Sequence, residues 1–252
     1  MRQRAAYDPS ALLVFGPQPV GGVALPRVRY IAVDGVIGVG KTSLVHRLYT
    51  DRGGRRFLEL VEENPFLTGG FYQDMERLAF DTELFFLLAR FRQQREVAEA
   101  IRSSQDLILS DYLFEKNRIF ASLTLSGRDF AIWERIYEAL LPEVPQPDLV
   151  VYLRSSTGAL LDRIHSRSRP FERDLTEPYL ARVNTSYERF FATYPGRLLT
   201  IDVSQLDFVW SDADFAAVRA MVDHRIATLE AGQGELDLPG AASRTGAGKV
   251  GA

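Results

Sequence analysis

The sequence lacks cysteine altogether and has only three histidines among its 252 residues. Without cysteine there is no disulfide framework, no thiolate metal site and no cysteine nucleophile. The histidines, His46, His165 and His224, are scattered along the chain, which argues against a histidine-built zinc centre.

Long apolar runs and a net basic charge are also missing. No apolar run approaches the roughly 18 residues of a membrane span, and the short apolar segment 11–15 lacks the context of a secretion signal. The net charge of −3 at pH 7 argues against a protein that coats nucleic acid. We expect a cytoplasmic protein with no membrane or nucleic-acid partner.

What is present predicts one α/β domain over residues 28–230. A hydrophobic content of 46% is ample for a buried core, and alternating strand and helix patterns indicate a parallel sheet covered on both faces. Residues 1–27 and 231–252 predict a flexible N-terminal extension and a flexible C-terminal tail. The strands are predicted at 29–34, 57–61, 107–110, 149–153 and 198–203. The helices are predicted at 42–49, 80–102, 130–141, 157–167 and 212–229.

The segment GVIGVGKTS follows the first predicted strand and opens the first predicted helix. It matches the G-x-x-x-x-G-K-[ST] pattern of a phosphate-binding loop, whose backbone N–H groups and lysine hold a triphosphate. A chance glycine-rich turn is the alternative, but the flanking strand and helix favour the loop. The predicted phosphate-binding residues are Gly35, Val36, Ile37, Gly38, Val39, Gly40, Lys41, Thr42 and Ser43.

Acidic residues follow two predicted strands. Glu59, Glu62 and Glu63 stand at or just beyond the end of the second strand, where one carboxylate could take the proton of an attacking hydroxyl. Spacing alone does not choose among them, and a solvated acidic loop is the alternative. Asp111 ends the third strand, where it could hold Mg²⁺ together with the Thr42 hydroxyl; it could instead cap a turn.

Two further charged patterns suggest ligand contacts. Four arginines crowd residues 163–173, which suits a phosphate-binding lid over about 163–175, although an exposed basic helix end would look the same. Glu83 and Arg90 lie seven residues apart on one face of the long helix. They could contact a ligand or form an ordinary surface ion pair.

Taken together, these motifs resemble the deoxynucleoside kinase family, most closely its bacterial deoxyguanosine and deoxyadenosine kinase branch. The resemblance covers about residues 29–210 and implies a P-loop kinase fold of three α/β/α layers around a five-stranded parallel sheet. It depends on an ordered set of motifs: GVIGVGKTS, E-x-V-E-E-N-P-F-L, Phe71–Tyr72, F-x-x-E-x-F-F-L-x-x-R-F-R-Q, S-D-Y-x-x-x-K-N-x-I-F-A, R-I-x-x-R-x-R-P-F-E and D-F-V.

The resemblance implies a role for each matching residue. Glu59 would be the base that deprotonates the sugar 5′-hydroxyl for attack on the γ-phosphate of ATP, with Mg²⁺ as the metal. The remaining matches are Tyr72 and Glu172 for the 3′-hydroxyl, Phe120 for base stacking, Arg163, Arg167 and Arg169 for the lid, and Asp207 and Phe208 near the donor adenine. The family also implies a homodimer, packed through helices such as 80–102 and 130–141.

Departures from the common family pattern concern the base pocket. Glu83, Tyr112 and Asn117 stand where many members have Gln, Arg and Asp, and these replacements resemble the deoxyguanosine kinase subgroup. An ionised carboxylate only accepts hydrogen bonds, so Glu83 suits the N1–H and N2–H₂ donors of guanine, and Arg90 could donate to O6 or N7. We therefore expect deoxyguanosine as substrate. Ser168 replaces the more common glycine of the lid and could stiffen it.

Other functions fit the sequence less well. Deoxyadenosine or broad deoxynucleoside kinase activity is the nearest alternative. A thymidylate kinase would need cationic contacts near the second strand, where this chain has glutamates. A catalytically silent structural relative should have lost its lysine, base or lid arginines, and a regulatory GTPase should carry N-K-x-D, which is absent.

Overall fold

Five parallel strands form the centre of the chain in the computed structural model, which describes residues 28–167 and 169–236. In the order β2-β3-β1-β4-β5, all four neighbouring pairs are parallel, which confirms the predicted sheet. The strands are β1 (Tyr30–Gly35), β2 (Arg55–Phe57), β3 (Ile108–Ser110), β4 (Leu149–Arg154) and β5 (Leu198–Asp202). All six residues of the central strand β1 are buried, as expected where helices cover both faces of a parallel sheet.

Eight α-helices connect and cover these strands within the described residues. They are α1 (Lys41–Arg52), α2 (Pro65–Thr68), α3 (Met75–Ser103), α4 (Lys116–Thr124), α5 (Gly127–Leu140), α6 (Thr157–Arg167), α7 (Glu177–Ala192) and α8 (Asp212–Leu236). The sequence patterns predicted five of them; α2, α4 and α7 were not predicted. None of the helices in the described part is both long and apolar enough to cross a membrane.

The second strand differs most from its prediction. The prediction of a strand at 57–61 is wrong beyond its first residue, because β2 ends at Phe57 and Val61–Glu63 form a 3₁₀ turn. The side chain of Asp111 accepts a hydrogen bond from the backbone N–H of Glu59 at 2.7 Å, so the chain turns across the end of β3 instead of continuing the sheet. This turn brings Glu59 to the carboxyl edge of the sheet.

The chain ends were predicted to be flexible. Helix α8 continues to Leu236, seven residues beyond its predicted end and into the predicted tail. Residues 1–27, Ser168 and 237–252 lie outside the described residues, so the predicted extension, the lid serine and most of the tail stay predictions.

Two apolar clusters form the core of the described residues. The larger cluster lies around the sheet, and its buried residues include Leu44 on α1, Leu160 on α6 and Val218 on α8. The smaller one joins α3, α4 and α5, where Trp133 stacks on Tyr137 with ring centroids 5.3 Å apart.

Candidate active site

The phosphate loop connects β1 to α1 with its backbone N–H groups at a helix N-terminus. Gly40 has a φ of +102°, and a Cβ atom there would lie 2.7 Å from Cζ of Phe208. Only glycine fits this combination of left-handed backbone and close approach. Phe208, which is buried, thus packs closely against the loop at Gly40.

The side chain of Lys41, the first residue of α1, folds back onto the start of the loop. Its Nζ donates to the carbonyl oxygens of Gly35 at 2.9 Å and Val36 at 3.2 Å. Burial, followed by the positive charge of Lys116, lowers the pKa of Lys41 to about 8. Phosphate oxygens would favour the charged form, because an opposite charge nearby stabilises an ammonium.

Thr42 and Asp111 meet where α1 begins and β3 ends. The Thr42 hydroxyl donates to Oδ2 of Asp111, while burial and the charge of Glu59 raise the pKa of the Asp111 carboxyl. The described residues contain no group of three His, Cys, Asp or Glu side chains that could hold a metal alone. One carboxylate and one hydroxyl still fit Mg²⁺, which commonly takes few protein ligands and completes its shell with water and substrate phosphates.

The carboxylate of Glu59 lies between two cations. Arg90 donates its Nε to Oε1 at 2.8 Å, and Lys116 donates its Nζ to Oε2 at 2.8 Å. All three side chains are at least nine-tenths buried. Burial alone would raise the pKa of Glu59, but Arg90, Lys116 and Lys41 outweigh it and bring the pKa well below 4.5. Glu59 is therefore ionised across the physiological pH range.

Glu83 occupies a different environment on the same helix as Arg90. It is 3% exposed, and its Oε1 accepts a hydrogen bond from the Thr124 hydroxyl at 2.9 Å. Burial raises its pKa to about 7, against the opposing effects of Thr124 and Arg90. Arg90 pairs with Glu59 and donates to Asn117, so the predicted pair on this helix is not a surface ion pair.

A cavity of about 630 Å³ joins these groups. The predicted site residues that line it are Ile37, Gly38, Gly40, Lys41, Thr42, Ser43, Glu59, Tyr72, Glu83, Arg90, Asp111, Phe120, Arg167, Arg169 and Glu172. Its size falls within the range typical of small-molecule sites. The phosphate loop and the buried carboxyl of Glu83 thus line the same cavity.

Other predicted residues are placed behind or beside the cavity. Arg163 donates to the carbonyl oxygens of Val203 at 2.6 Å and Leu206 at 3.1 Å, so it braces the segment after β5. Tyr112 and Asn117 are fully buried. The others that do not line the cavity are Gly35, Val36, Val39, Asp207 and Phe208.

The two remaining lid arginines form ion pairs with acidic residues that also line the cavity. Arg167 donates to Glu172 through Nε at 2.9 Å and also through Nη2, and Glu172 is 5% exposed. Nε of Arg169 lies 3.9 Å from Oε1 of Glu62. Burial raises the pKa of Tyr72, and the nearby charge of Glu172 raises it further.

Comparison with known proteins identifies the family. A family model described as deoxynucleoside kinase matches residues 31–227. The chain belongs to the deoxynucleoside kinase family. This kinase is 34% identical over 202 residues to a deoxyguanosine kinase of Bacillus subtilis (strain 168), covering 78% of this chain and 97% of that protein. It is 32% identical over 193 residues to a deoxyadenosine kinase of Lactobacillus acidophilus, covering 72% and 89%.

Solved structures show the same fold. A deoxyadenosine kinase from M. mycoides with bound dATP superposes with a TM-score of 0.67 at 25% identity, covering 77% of this chain and 98% of that one. The relatives of this kinase therefore include enzymes named for both purine deoxynucleosides.

The sequence predictions missed two polar partners of the predicted carboxylates. Lys116 pairs with Glu59, and Thr124 donates to Glu83; both belong to α4, a helix that was not predicted. The lysine lies within the S-D-Y-x-x-x-K-N motif, which was the available signal. Its contact with Glu59 spans 57 residues of sequence and depends on how α4 packs.

Proposed function

We propose that this kinase transfers the γ-phosphate of ATP to the 5′-hydroxyl of deoxyguanosine, with Mg²⁺, to give the 5′-monophosphate for nucleotide salvage. The observation that carries the proposal is that the phosphate loop, the ionised Glu59 and the buried Glu83 all line one cavity. The three groups correspond to the donor, the reacting hydroxyl and the acceptor base.

In this proposal the phosphate loop and the lid arginines position ATP, the phosphate donor. The loop N–H groups and Lys41 bind the β- and γ-phosphates, and Arg167 and Arg169 approach the transferred group from the lid. When bound, Mg²⁺ would neutralise phosphate charge, held by Thr42 and Asp111. Phosphoryl transfer requires mainly positioning and charge neutralisation from the protein.

Glu59 is proposed as the base at the middle of the cavity. A carboxylate with a pKa well below 4.5 is a weak base, but it is fully ionised and can orient the 5′-hydroxyl. As the new O–P bond forms and the bond to the leaving ADP breaks, the hydroxyl proton passes to the carboxylate. Tyr72 and Glu172 would bind the 3′-hydroxyl, and Phe120 would stack on the base.

Glu83 supports guanine as the acceptor base. In its ionised form it only accepts hydrogen bonds, which matches the adjacent N1–H and N2–H₂ donors of guanine. An adenine N1 acceptor facing this carboxylate would leave a buried acceptor unpaired, at a cost of about 1–3 kcal/mol. Arg90 donates hydrogen bonds to Glu59 and Asn117. Because a guanidinium has five N–H donors, it could also donate to O6 or N7 of guanine.

Deoxyadenosine is the second candidate, favoured by the pKa of about 7 for Glu83. A protonated carboxyl has one donor, which could serve the N1 acceptor of adenine. Relatives named deoxyadenosine kinase are consistent with this alternative.

We also propose a cytoplasmic homodimer. Leu88 on α3 and Ile132 on α5 are exposed at 37% and 38%, and both lie on the helices expected to pack between subunits. Burial of such side chains against a second copy would remove apolar surface from water.

A phosphorylation assay with ATP and Mg²⁺ tests the substrate. The four deoxynucleosides and the matching monophosphates would be compared, with deoxyguanosine expected to have the highest kcat/KM, followed by deoxyadenosine and then the pyrimidines. Turnover of monophosphates alone would overturn the proposal, and no turnover of any substrate would favour a silent structural relative.

The role of Glu59 is tested by Glu59→Gln. This change keeps the shape but removes the base, so kcat should fall by about 10²- to 10⁴-fold. Glu76→Gln, at an exposed position in the first turn of α3 and outside the cavity lining, serves as the control and should keep near wild-type kcat. Near-full activity of Glu59→Gln would refute the assignment.

A further inference from the structure

We propose that Lys116 is a positioning residue of this reaction, whose ammonium orients the Oε2 oxygen of Glu59 toward the acceptor hydroxyl. The inference rests on the proposed role of Glu59 as the base. Lys116 Nζ lies 2.8 Å from Oε2, and its side chain is 5% exposed. It also lines the cavity that the phosphate loop and Glu83 share.

The two cations on Glu59 hold it in different ways. Arg90 contacts Oε1 through both Nε and Nη2, and its guanidinium is further fixed by Asn117 and by the Phe86 ring 4.5 Å away. This planar, multiply bonded group acts as a rigid clamp. Oε1 thus accepts two hydrogen bonds from Arg90, whereas Oε2 accepts one from Lys116 and keeps a lone pair for a substrate hydroxyl.

Lys116 presents a compact point charge to that second oxygen. An ammonium has three donors that rotate about one atom, so it can bond to Oε2 while leaving room for a substrate hydroxyl beside it. When the hydroxyl proton moves to Oε2, the O5′–phosphorus bond forms and ADP departs with the electrons of the broken bond. The ammonium keeps its own protons throughout and only fixes the position of the receiving oxygen.

Lysine is otherwise scarce in this chain. Lys and Arg total 30, and three of them are lysines: Lys41, Lys116 and Lys249. Within residues 28–167 and 169–236, the lysines are therefore Lys41 and Lys116, and both line the cavity. All other Lys and Arg positions in these residues are arginines, so both lysine ammonium groups of the described chain lie at the cavity.

A purely structural role for Lys116 makes a different prediction. Its charge also acts on the buried Asp34, so removing it could lower stability without any effect on the reaction. The two roles are separated by kinetics, because only the positioning role makes the effect of Lys116 depend on Glu59.

The test compares Lys116→Met, Lys116→Arg and a matched control. Arg118→Met removes another largely buried cation of α4, which pairs with Glu134 on α5 at 2.7 Å and does not line the cavity. Steady-state kinetics of deoxynucleoside phosphorylation and denaturant unfolding would be measured for each. We expect Lys116→Met to lower kcat by about tenfold to a hundredfold, with KM for ATP nearly unchanged. Arg118→Met should keep kcat.

A double-mutant cycle with Glu59→Gln decides the mechanism. Lys116→Met should cause little further loss in that background, because residues that act as one unit are not additive. Lys116→Arg, which keeps the charge, should retain more kcat than Lys116→Met.

Three results would overturn the inference: wild-type kcat in Lys116→Met, equal losses for Met and Arg, or the same fold-loss with and without Glu59. Failure of the proposed function would appear separately, in the substrate profile of the wild type and in Glu59→Gln alone.

Discussion

Glu83→Gln offers the sharpest test of how the acceptor end of the cavity works. Glu83 is 3% exposed, and burial raises its pKa from 4.5 to about 7. At 1.36 kcal/mol per pK unit, this rise corresponds to about 3 kcal/mol. Stability derived from the protonated carboxyl is fully present below pH 4.5 and is lost as the pH rises through about 7. The buried carboxylate is thus a cost to the folded state at neutral and alkaline pH.

Replacing Glu83 with the neutral, nearly isosteric glutamine removes that cost. We expect the free energy of unfolding to increase on substitution, with a gain about 2–3 kcal/mol larger at pH 8 than at pH 5. Urea denaturation at the two pH values measures it. Glu96→Gln, at an exposed position on the same helix, is the control and should show no comparable gain. An equal effect of Glu83→Gln at both pH values would refute the reasoning.

The same substitution tests the proposed choice of base. Ionisation of Glu83 near pH 7 should raise the ratio of deoxyguanosine to deoxyadenosine kcat/KM in the wild type between pH 6 and 8. Glutamine should lower this ratio by about tenfold to a hundredfold at pH 8, as expected for one or two hydrogen bonds to a charged group. It should also remove the pH dependence. A ratio that Glu83→Gln leaves unchanged would exclude guanine reading by this residue.

Two further substitutions address the phosphate end. Arg167→Met should lower kcat by at least about tenfold, because it removes a cation from the lid. Its control is Arg173→Met, at an exposed position in the same segment. If the two variants have equal kcat values, Arg167 has no role in the mechanism. Gly40→Ala should cost about 1–3 kcal/mol of stability and raise KM for ATP, because its Cβ would meet Phe208 in a left-handed backbone. Gly158→Ala on α6, with open space around its Cβ, should be neutral or stabilising, and similar behaviour of the two variants would contradict the packing argument.

Features that depend on one local motif could be predicted from the sequence. The phosphate loop depends on local backbone geometry between a strand and a helix, so its glycines and Lys41 can be recognised from spacing alone. The parallel sheet could be predicted for a similar reason, since its strands read as short apolar runs between helical patterns. The irregular turn after β2 could not, because a side chain 52 residues away, Asp111, binds the Glu59 backbone.

The sequence by itself therefore determined the fold, the phosphate loop and the types of side chain available for the reaction. Only the tertiary structure decided how they are paired. In it, Arg163 donates to backbone carbonyl groups, Lys116 donates to Glu59 and Thr124 donates to Glu83. The physical reason is range: loop geometry and strand patterns follow from neighbouring residues, whereas the ionisation and orientation of buried carboxyls depend on charges and donors that packing brings from distant segments.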